Sequence, residues 1–219
     1  MCPQNRAAAF FDVDHTLVGP RSMERAFAAY LIRRRYLGPA DLARYLGFLA
    51  RNLHQLGQGL VHSNKYHLRH KDPQELARLA AECFRQVIAP GISPAGRQAV
   101  ERHLQSGHLV VLLTGSLRPL AELLARELGA DLTLAAELGL EGGAYSGTLQ
   151  NRRPYGPEKA RLLREVARAR GLDLQSSWAY GDHHSDLEAL ACVGHPVAVN
   201  PHPRLRRQAL HRGWPILNF

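Results

Sequence analysis

The run Ala7-Ala8-Ala9-Phe10-Phe11 passes directly into Asp12-Val13-Asp14-His15-Thr16-Leu17, and this juncture narrows the fold more than any other segment. A short, continuously apolar stretch reads as a strand buried on both faces, the pattern of a parallel sheet in an α/β protein. Two carboxylates one residue apart cannot follow such a strand into a core, because each unpaired charge is costly to bury. They fit the C-terminal end of a parallel strand, at the crevice where α/β proteins bind ligands, with a cation holding both charges. They fit equally a surface turn that caps the next helix.

The rest of the chain supplies the partners such a strand needs. Leu109–Leu113 is a second apolar run, preceded by helical spacing over Ala95–Leu104 and a stop at Gly107. Leu120–Leu128 reads as a helix ending at Gly129, Leu132–Ala136 as a strand, and Lys159–Arg170 as a helix ending at Gly171. Ser177–Tyr180 and Pro196–Val199 read as further strands. Strands separated by helices predict a parallel sheet with right-handed crossovers. Two stretches break the rhythm. Met23–Ile88 carries apolar residues at helical spacing, such as Leu42, Tyr45, Leu46 and Leu49, and reads as a helical insertion after the first strand. Leu138–Leu149, with Gly139, Gly142, Gly143 and Gly147, reads as a β-hairpin.

Three more segments carry candidate chemistry. Val110-Val111-Leu112-Leu113-Thr114-Gly115-Ser116 ends a strand in hydroxyls and a glycine. Small residues there let backbone N–H groups approach a phosphate, or Ser116 simply caps a helix. Lys159 follows Gly156-Pro157-Glu158, where Pro157 suits a first helical turn; its amine either reaches back to a phosphate or lies in solvent. In Tyr180-Gly181-Asp182-His183-His184-Ser185-Asp186 a strand again ends in a carboxylate, with a second four residues on. Asp182 suits a direct ligand of a hard cation, and Asp186 a direct ligand or one that acts through another; the alternative is a cluster capping the helix over Ser185–Ala191. His183 and His184 diverge if a helix starts there, which speaks against a zinc site built on both.

Taken in order, Asp-x-Asp-x-Thr, Thr-Gly-Ser, Lys and Gly-Asp-x-x-x-Asp, on Phe10–Thr16, Val110–Ser116, Lys159 and Tyr180–Asp186, resemble the motifs of the haloacid dehalogenase-like superfamily. Within it the chain resembles the phosphoserine-phosphatase-like branch, subfamily IB. The insertion after the first motif and the ending from Val197-Ala198-Val199-Asn200-Pro201 to Trp214-Pro215-Ile216-Leu217 match that branch too. The resemblance implies a Rossmann-like parallel sheet flanked by helices, with a core of residues 1–17 and 90–219 and a helical cap of 18–89 acting as a lid. It implies a Mg2+-dependent phosphatase acting on a small phosphorylated metabolite. Asp12 would be the nucleophile, forming an aspartyl-phosphate, and Asp14 the acid and base. Thr114, Gly115 and Lys159 would bind the phosphate. Asp12 and Asp182 would hold the metal by carboxylates, and Asp14 by its carbonyl. His15, Arg21 and Ser116 are candidates for substrate specificity. In Val18-Gly19-Pro20-Arg21-Ser22-Met23-Glu24, Arg21 stands near the position where phosphoserine phosphatases carry a glutamate for the substrate amine, which leaves the substrate open, with histidinol phosphate among those of the branch. Glu24 replaces that glutamate only if the loop is shifted.

Composition tests the competing classes. The formal charge is +9 over 219 residues, but arginines are spread along the chain, with local clusters only at 33–35 and 204–207. No zinc-finger spacing or basic-region heptad supports nucleic-acid binding. A basic module without catalysis, holding nucleic acid or a phospholipid surface, is the alternative from another class, and a phosphotransferase is the alternative enzyme. Only three of the basic residues are lysines, Lys65, Lys71 and Lys159, which marks each for a role arginine cannot fill. The odd, scattered cysteines Cys2, Cys83 and Cys192 suit a reducing compartment. No apolar run reaches the ~20 residues of a membrane span, and the opening residues lack a leader pattern, so the cytoplasm is the expected location. His54, His62, His67 and His70 of the insertion are either substrate contacts or surface residues. Oligomeric state has no signature in the sequence.

Overall fold

The computed structural model describes residues 6–51 and 65–219. The first strand, β1, spans Ala8–Phe11. The insertion follows it, with α1 (Met23–Arg33), α2 (Pro39–Arg51), a 3-10 turn at Tyr66–Leu68 and α3 (Pro73–Cys83). A π-turn over Phe84–Ile88 leads back to the core. There α4 (Pro94–Gln105), β2 (Leu109–Leu117), α5 (Arg118–Leu128) and β3 (Leu132–Ala136) alternate. The hairpin is β4 (Leu138–Glu141) and β5 (Ala144–Leu149). The chain continues with α6 (Pro157–Arg170), β6 (Trp178–Gly181), a 3-10 turn at His184–Asp186 and the short α7 (Leu187–Leu190). It closes with β7 (His195–Val199), α8 (Pro203–Arg212) and β8 (Ile216–Leu217).

Six strands form one parallel sheet in the order β3-β2-β1-β6-β7-β8. β1 lies between β2 and β6, with Phe11 in register with Leu112 on one side and Tyr180 on the other. Its apolar run is continuous because both faces are covered. Ala9 and Phe11 join the cluster that holds Val100, Leu120 and Leu124 of α4 and α5. Ala8 and Phe10 join the opposite cluster, with Leu163, Leu190 and Leu205 of α6, α7 and α8. Each fully buried side chain of this size contributes about 1.5–3 kcal/mol of transfer free energy.

The insertion does not stand apart from this core. Phe27, Tyr30 and Leu31 of α1, Leu68, and Leu76 and Leu79 of α3 belong to the same cluster as Leu112 and Leu117. The hairpin ties down its far end through main-chain bonds, with Lys65 N–H donating to Gly147 O and His70 N–H to Tyr145 O. Gly147 has φ +82°, and a Cβ there would meet Tyr66 and Arg69 at 3.0 Å, so the approach needs glycine.

Two segments differ from the sequence expectation. β2 runs four residues beyond Leu113, and its register against β3 shifts between Leu113 and Leu117. Thr114, Gly115 and Ser116 therefore lie within an extended strand end and not in a helix cap. The helix expected over Ser185–Ala191 is split into the 3-10 turn and α7; the turn is capped by His183 Nδ1, which accepts the Ser185 N–H, and by Asp186 Oδ2, which accepts the His183 N–H. No helix among the described residues is long and apolar enough to cross a membrane.

Candidate active site

Four chain segments meet beyond the C-terminal ends of β1, β2 and β6. Asp12 extends the β1–β6 ladder by one rung, its N–H donating to Tyr180 O at 2.9 Å. Its carboxylate therefore projects at the sheet's edge, where the Thr16 hydroxyl donates to Oδ2 at 3.1 Å and the Lys159 ammonium donates to Oδ1. Lys159 sits in the first turn of α6, which Pro157 opens after Gly156 at φ +57°. It is only 4% exposed and also donates to Asp186 Oδ1 at 2.6 Å. A lysine so enclosed must be paired, and here it is paired twice.

Asp186 is 2% exposed. Its Oδ2 accepts the His183 N–H at 3.1 Å. The bare face of Gly181 makes room for it, since a Cβ there would meet Asp186 Cβ at 2.7 Å and Oδ2 at 2.8 Å. Asp182 follows β6 directly, and its carbonyl accepts the His202 N–H at 2.8 Å. One carboxylate oxygen from each of Asp12, Asp182 and Asp186 lies within 4.8 Å of the others.

Three carboxylates thus face one ammonium. Burial pushes Asp12 up to about 7, with Lys159 working against it and Asp186 and Asp14 adding to it. Burial likewise pushes Asp182 up to about 8, reinforced by Asp12 and Asp186. Burial alone would lower the Lys159 pKa, yet the Asp12 and Asp186 carboxylates hold it above its ordinary value. An all-oxygen donor set short of positive charge suits a hard divalent cation such as Mg2+.

Asp14 stands apart from this trio and is held differently. Its Oδ1 accepts the Met23 N–H at 2.7 Å and its Oδ2 the Ser116 hydroxyl at 2.8 Å. Met23 opens α1, so its N–H is one of the donors a helix start leaves unpaired, and the positive end of the helix faces the carboxylate. Ser116 is fully buried. Its hydroxyl is spent on Asp14, which makes it a support for that carboxylate. Thr114 is buried as well; its Oγ1 accepts the Ser116 N–H at 3.1 Å, and among the described residues its own O–H proton has no acceptor. Gly115 O accepts the Arg153 Nε–H at 3.0 Å, and the guanidinium lies so close that a Cβ on Gly115 would meet Nε at 2.7 Å.

The specificity candidates scatter. His15 is exposed with φ +65°, its carbonyl held by Asn200 Nδ2 at 3.1 Å. It lines a cavity of about 830 Å3 with Asp182, His183 and His202. Arg21 is exposed and lines a different cavity, of about 450 Å3, with Tyr30, Arg33 and Val87, whose walls include none of the four carboxylates. His67 is half-buried and His70 exposed, while His54 and His62 lie outside the described residues. Cys83 and Cys192 are free thiols, and Cys2 lies outside the described residues. Sequence reasoning missed Arg153 and the role of Ser116, and had Thr16 only as the end of the first motif. A hydroxyl four residues after Asp12 was the one signal available, for Thr16.

A family model described as haloacid dehalogenase-like hydrolase matches residues 9–191. The chain belongs to the haloacid dehalogenase-like hydrolases. Among its relatives, a phosphoserine phosphatase of Mycobacterium tuberculosis is 34% identical, over 97% of this chain and 71% of that protein. A histidinol-phosphatase of Neisseria meningitidis is 28% identical, over 96% of this chain and 98% of its own. A solved structure from Bordetella pertussis Tohama I, a protein of unknown function, matches with a TM-score of 0.82 at 28% identity, covering 98% of this chain and 99% of that one. The helical insertion between β1 and β2 is part of the haloacid dehalogenase-like fold seen here.

Proposed function

We propose that the chain is a Mg2+-dependent phosphatase that hydrolyses a small phosphomonoester through an aspartyl-phosphate on Asp12. The observation that carries this reading is the convergence of Asp12, Asp182 and Asp186 within 4.8 Å around the Lys159 ammonium. A carboxylate attacking a phosphate dianion meets like-charge repulsion, and such a site exists to offset it. Lys159 neutralises part of the charge directly. Asp12 and Asp182 would hold the metal by carboxylates and Asp14 by its carbonyl, with Asp186 orienting Lys159 beside them. The metal, when bound, supplies the remaining positive charge for the developing transition state.

A carboxylate oxygen of Asp12 forms a bond to phosphorus as the bond to the leaving alcohol breaks. Asp14 gives its proton to that departing oxygen, then takes one from water, which attacks the same phosphorus and frees Asp12 and phosphate. The Met23 N–H and the Ser116 hydroxyl keep the Asp14 carboxyl oriented for both steps. The Thr114 hydroxyl, the Gly115 N–H and Lys159 are the donors available to the phosphoryl oxygens. The cap, residues 18–89, closes over the leaving group and limits bulk water. Relatives that act on phosphoserine and histidinol phosphate support a phosphorylated metabolite as the substrate class.

The test is hydrolysis of p-nitrophenyl phosphate with Mg2+ and with EDTA. Turnover that needs the metal and falls at least about 100-fold in Asp12→Asn supports the reading. Metal-independent turnover, or an inert protein whose affinity for DNA or RNA drops steeply with salt, overturns it.

A further inference from the structure

The two donors that hold the Asp14 carboxyl come from separate parts of the fold. The Met23 N–H belongs to the start of α1 in the insertion, and the Ser116 hydroxyl to the end of β2 in the core. Beside each donor stands a residue gripped by one and the same side chain. Arg153, in the loop between β5 and α6, donates its Nε–H to Gly115 O at 3.0 Å and pairs through Nη2 with Glu24 Oε2 at 3.4 Å. Gly115 precedes Ser116, and Glu24 follows Met23.

The peptide between Gly115 and Ser116 is thereby fixed at both of its polar atoms. Its carbonyl accepts from the guanidinium, and its N–H donates to Thr114 Oγ1 at 3.1 Å. Rotation of that plane would swing the Ser116 hydroxyl away from Asp14. The bare face of Gly115 admits the guanidinium, since a Cβ there would meet Cζ and Nη2 at 3.0 Å each. At the other end, Lys65 pairs with the second oxygen of Glu24, so that carboxylate is held from two sides. The Arg153 side chain is 18% exposed, which shields its charge-assisted hydrogen bonds in part from water. A planar fork of N–H groups reaches two acceptors in fixed directions, which a lysine ammonium does not.

We infer that Arg153 is a positioning residue for the acid–base step. It ties the end of β2 to the start of α1, and through Ser116 and Met23 it aims the Asp14 carboxyl at the leaving oxygen. Its own hydrogen bonds among the described residues go to Gly115 and Glu24 and none to Asp14. The inference rests on the phosphatase reading and adds to it the residue that orders the acid.

Arg153→Gln tests it with two esters, propyl phosphate and p-nitrophenyl phosphate. The propyl oxygen needs the Asp14 proton as it departs, whereas p-nitrophenolate leaves as a stable anion. kcat/KM for propyl phosphate should fall by about 10- to 100-fold, the scale of a misplaced catalytic group, and the preference for p-nitrophenyl phosphate should rise by about tenfold or more over wild type. In a Ser116→Ala background the same substitution should change that preference less, because the path through Ser116 is already cut. Arg153→Lys, which keeps the charge without the fork and stands in should Arg153→Gln fail to fold, should show the same shift at smaller size. Equal losses on the two esters, a wild-type preference in both variants, or the same change in both backgrounds would overturn the inference. A wild-type protein inert toward p-nitrophenyl phosphate sinks the phosphatase reading instead, and hydrogen exchange followed by NMR then decides the positioning without turnover. The Met23 and Ser116 amides should exchange about tenfold faster in Arg153→Gln, the scale of one hydrogen bond; exchange at the wild-type rate at either amide overturns it.

Discussion

Replacing Lys159 with methionine isolates the electrostatics of the site from its chemistry. Methionine keeps most of the aliphatic stem but removes the ammonium that donates to Asp12 and Asp186. Two hydrogen bonds to charged groups are worth about 1.5–3 kcal/mol each, and removing one partner of a buried ion pair typically costs about 3–5 kcal/mol. We expect Lys159→Met to lose about 3–5 kcal/mol at pH 8 in EDTA, a fall in Tm of roughly 6–20 °C for a chain this size. The loss must depend on pH. Without the ammonium, which works against burial at Asp12, that carboxyl holds its proton still more tightly in the fold than in the unfolded chain. The folded state then binds the extra proton, and stability rises as pH falls. One such proton recovers about 1.4 kcal/mol per pH unit, and wild-type Asp12, already pushed up to about 7, recovers about half of that over the same range, so the gap to wild type should shrink by about 1–1.5 kcal/mol between pH 8 and pH 6. Urea unfolding followed by circular dichroism at the two pH values measures both effects. A variant as stable as wild type at pH 8, or a gap that widens toward pH 6, would refute the pairing of Lys159 with buried carboxylates.

Three further outcomes are expected. Ser116→Ala removes one of the two donors on Asp14 and should lower kcat for p-nitrophenyl phosphate by about 10- to 100-fold with a much smaller change in KM, as for loss of a group that orients an acid–base residue; an equal rise in KM alone would place Ser116 in substrate binding instead. Gly181→Ala puts a methyl 2.7 Å from Asp186 Cβ, and the Mg2+ concentration for half-maximal activity should rise about 10- to 100-fold, the usual cost of disturbing a residue behind the ligands; an unchanged Mg2+ dependence would separate Asp186 from the metal site. His103, hydrogen-bonded to His108 and Tyr180 beneath β1, is held down by burial, and by His108, from 6.5 to about 4. The unfolded chain takes up the proton first, so this group costs stability as pH falls from about 6.5 toward 4. His103→Gln should narrow its stability gap to wild type by about 1–2 kcal/mol between pH 7 and pH 5, with allowance for partial solvation; a constant gap would show that the imidazole does not titrate in that window.

What the sequence disclosed and what it hid divide along contact range. The strands around Phe11, Leu112, Tyr180 and Val197 were legible because burial on both faces leaves an unbroken apolar run, and the run marks its own end by the first polar residue. Asp12 and Asp182 stand at such ends, whereas Lys159 enters the site only through the family resemblance, its own segment reading as well as a surface lysine. The pairings were not legible. Ser116 meets Asp14 across 102 positions and Lys159 meets Asp12 across 147; nothing local to either residue specifies the other. For Ser116 the sequence offers a phosphate-side hydroxyl, a helix cap or a specificity contact, yet β2 continues through it and its hydroxyl meets Asp14. Arg153 was one arginine among many, and only its packing on the bare face of Gly115 singles it out. Arg21 is placed by its nearness to the glutamate position of phosphoserine phosphatases, whereas in the structure it lines a cavity with Tyr30 and Arg33.

The central claim is that Asp12 itself receives the phosphoryl group. Mixing the protein with p-nitrophenyl phosphate and Mg2+, quenching in acid within the first turnovers and mapping the peptides by mass spectrometry tests it directly. A phosphoryl adduct on the peptide containing Asp12, absent from Asp12→Asn, is the predicted result. Phosphate release at the same rate with no adduct on any aspartate, or an adduct confined to another residue, would contradict it.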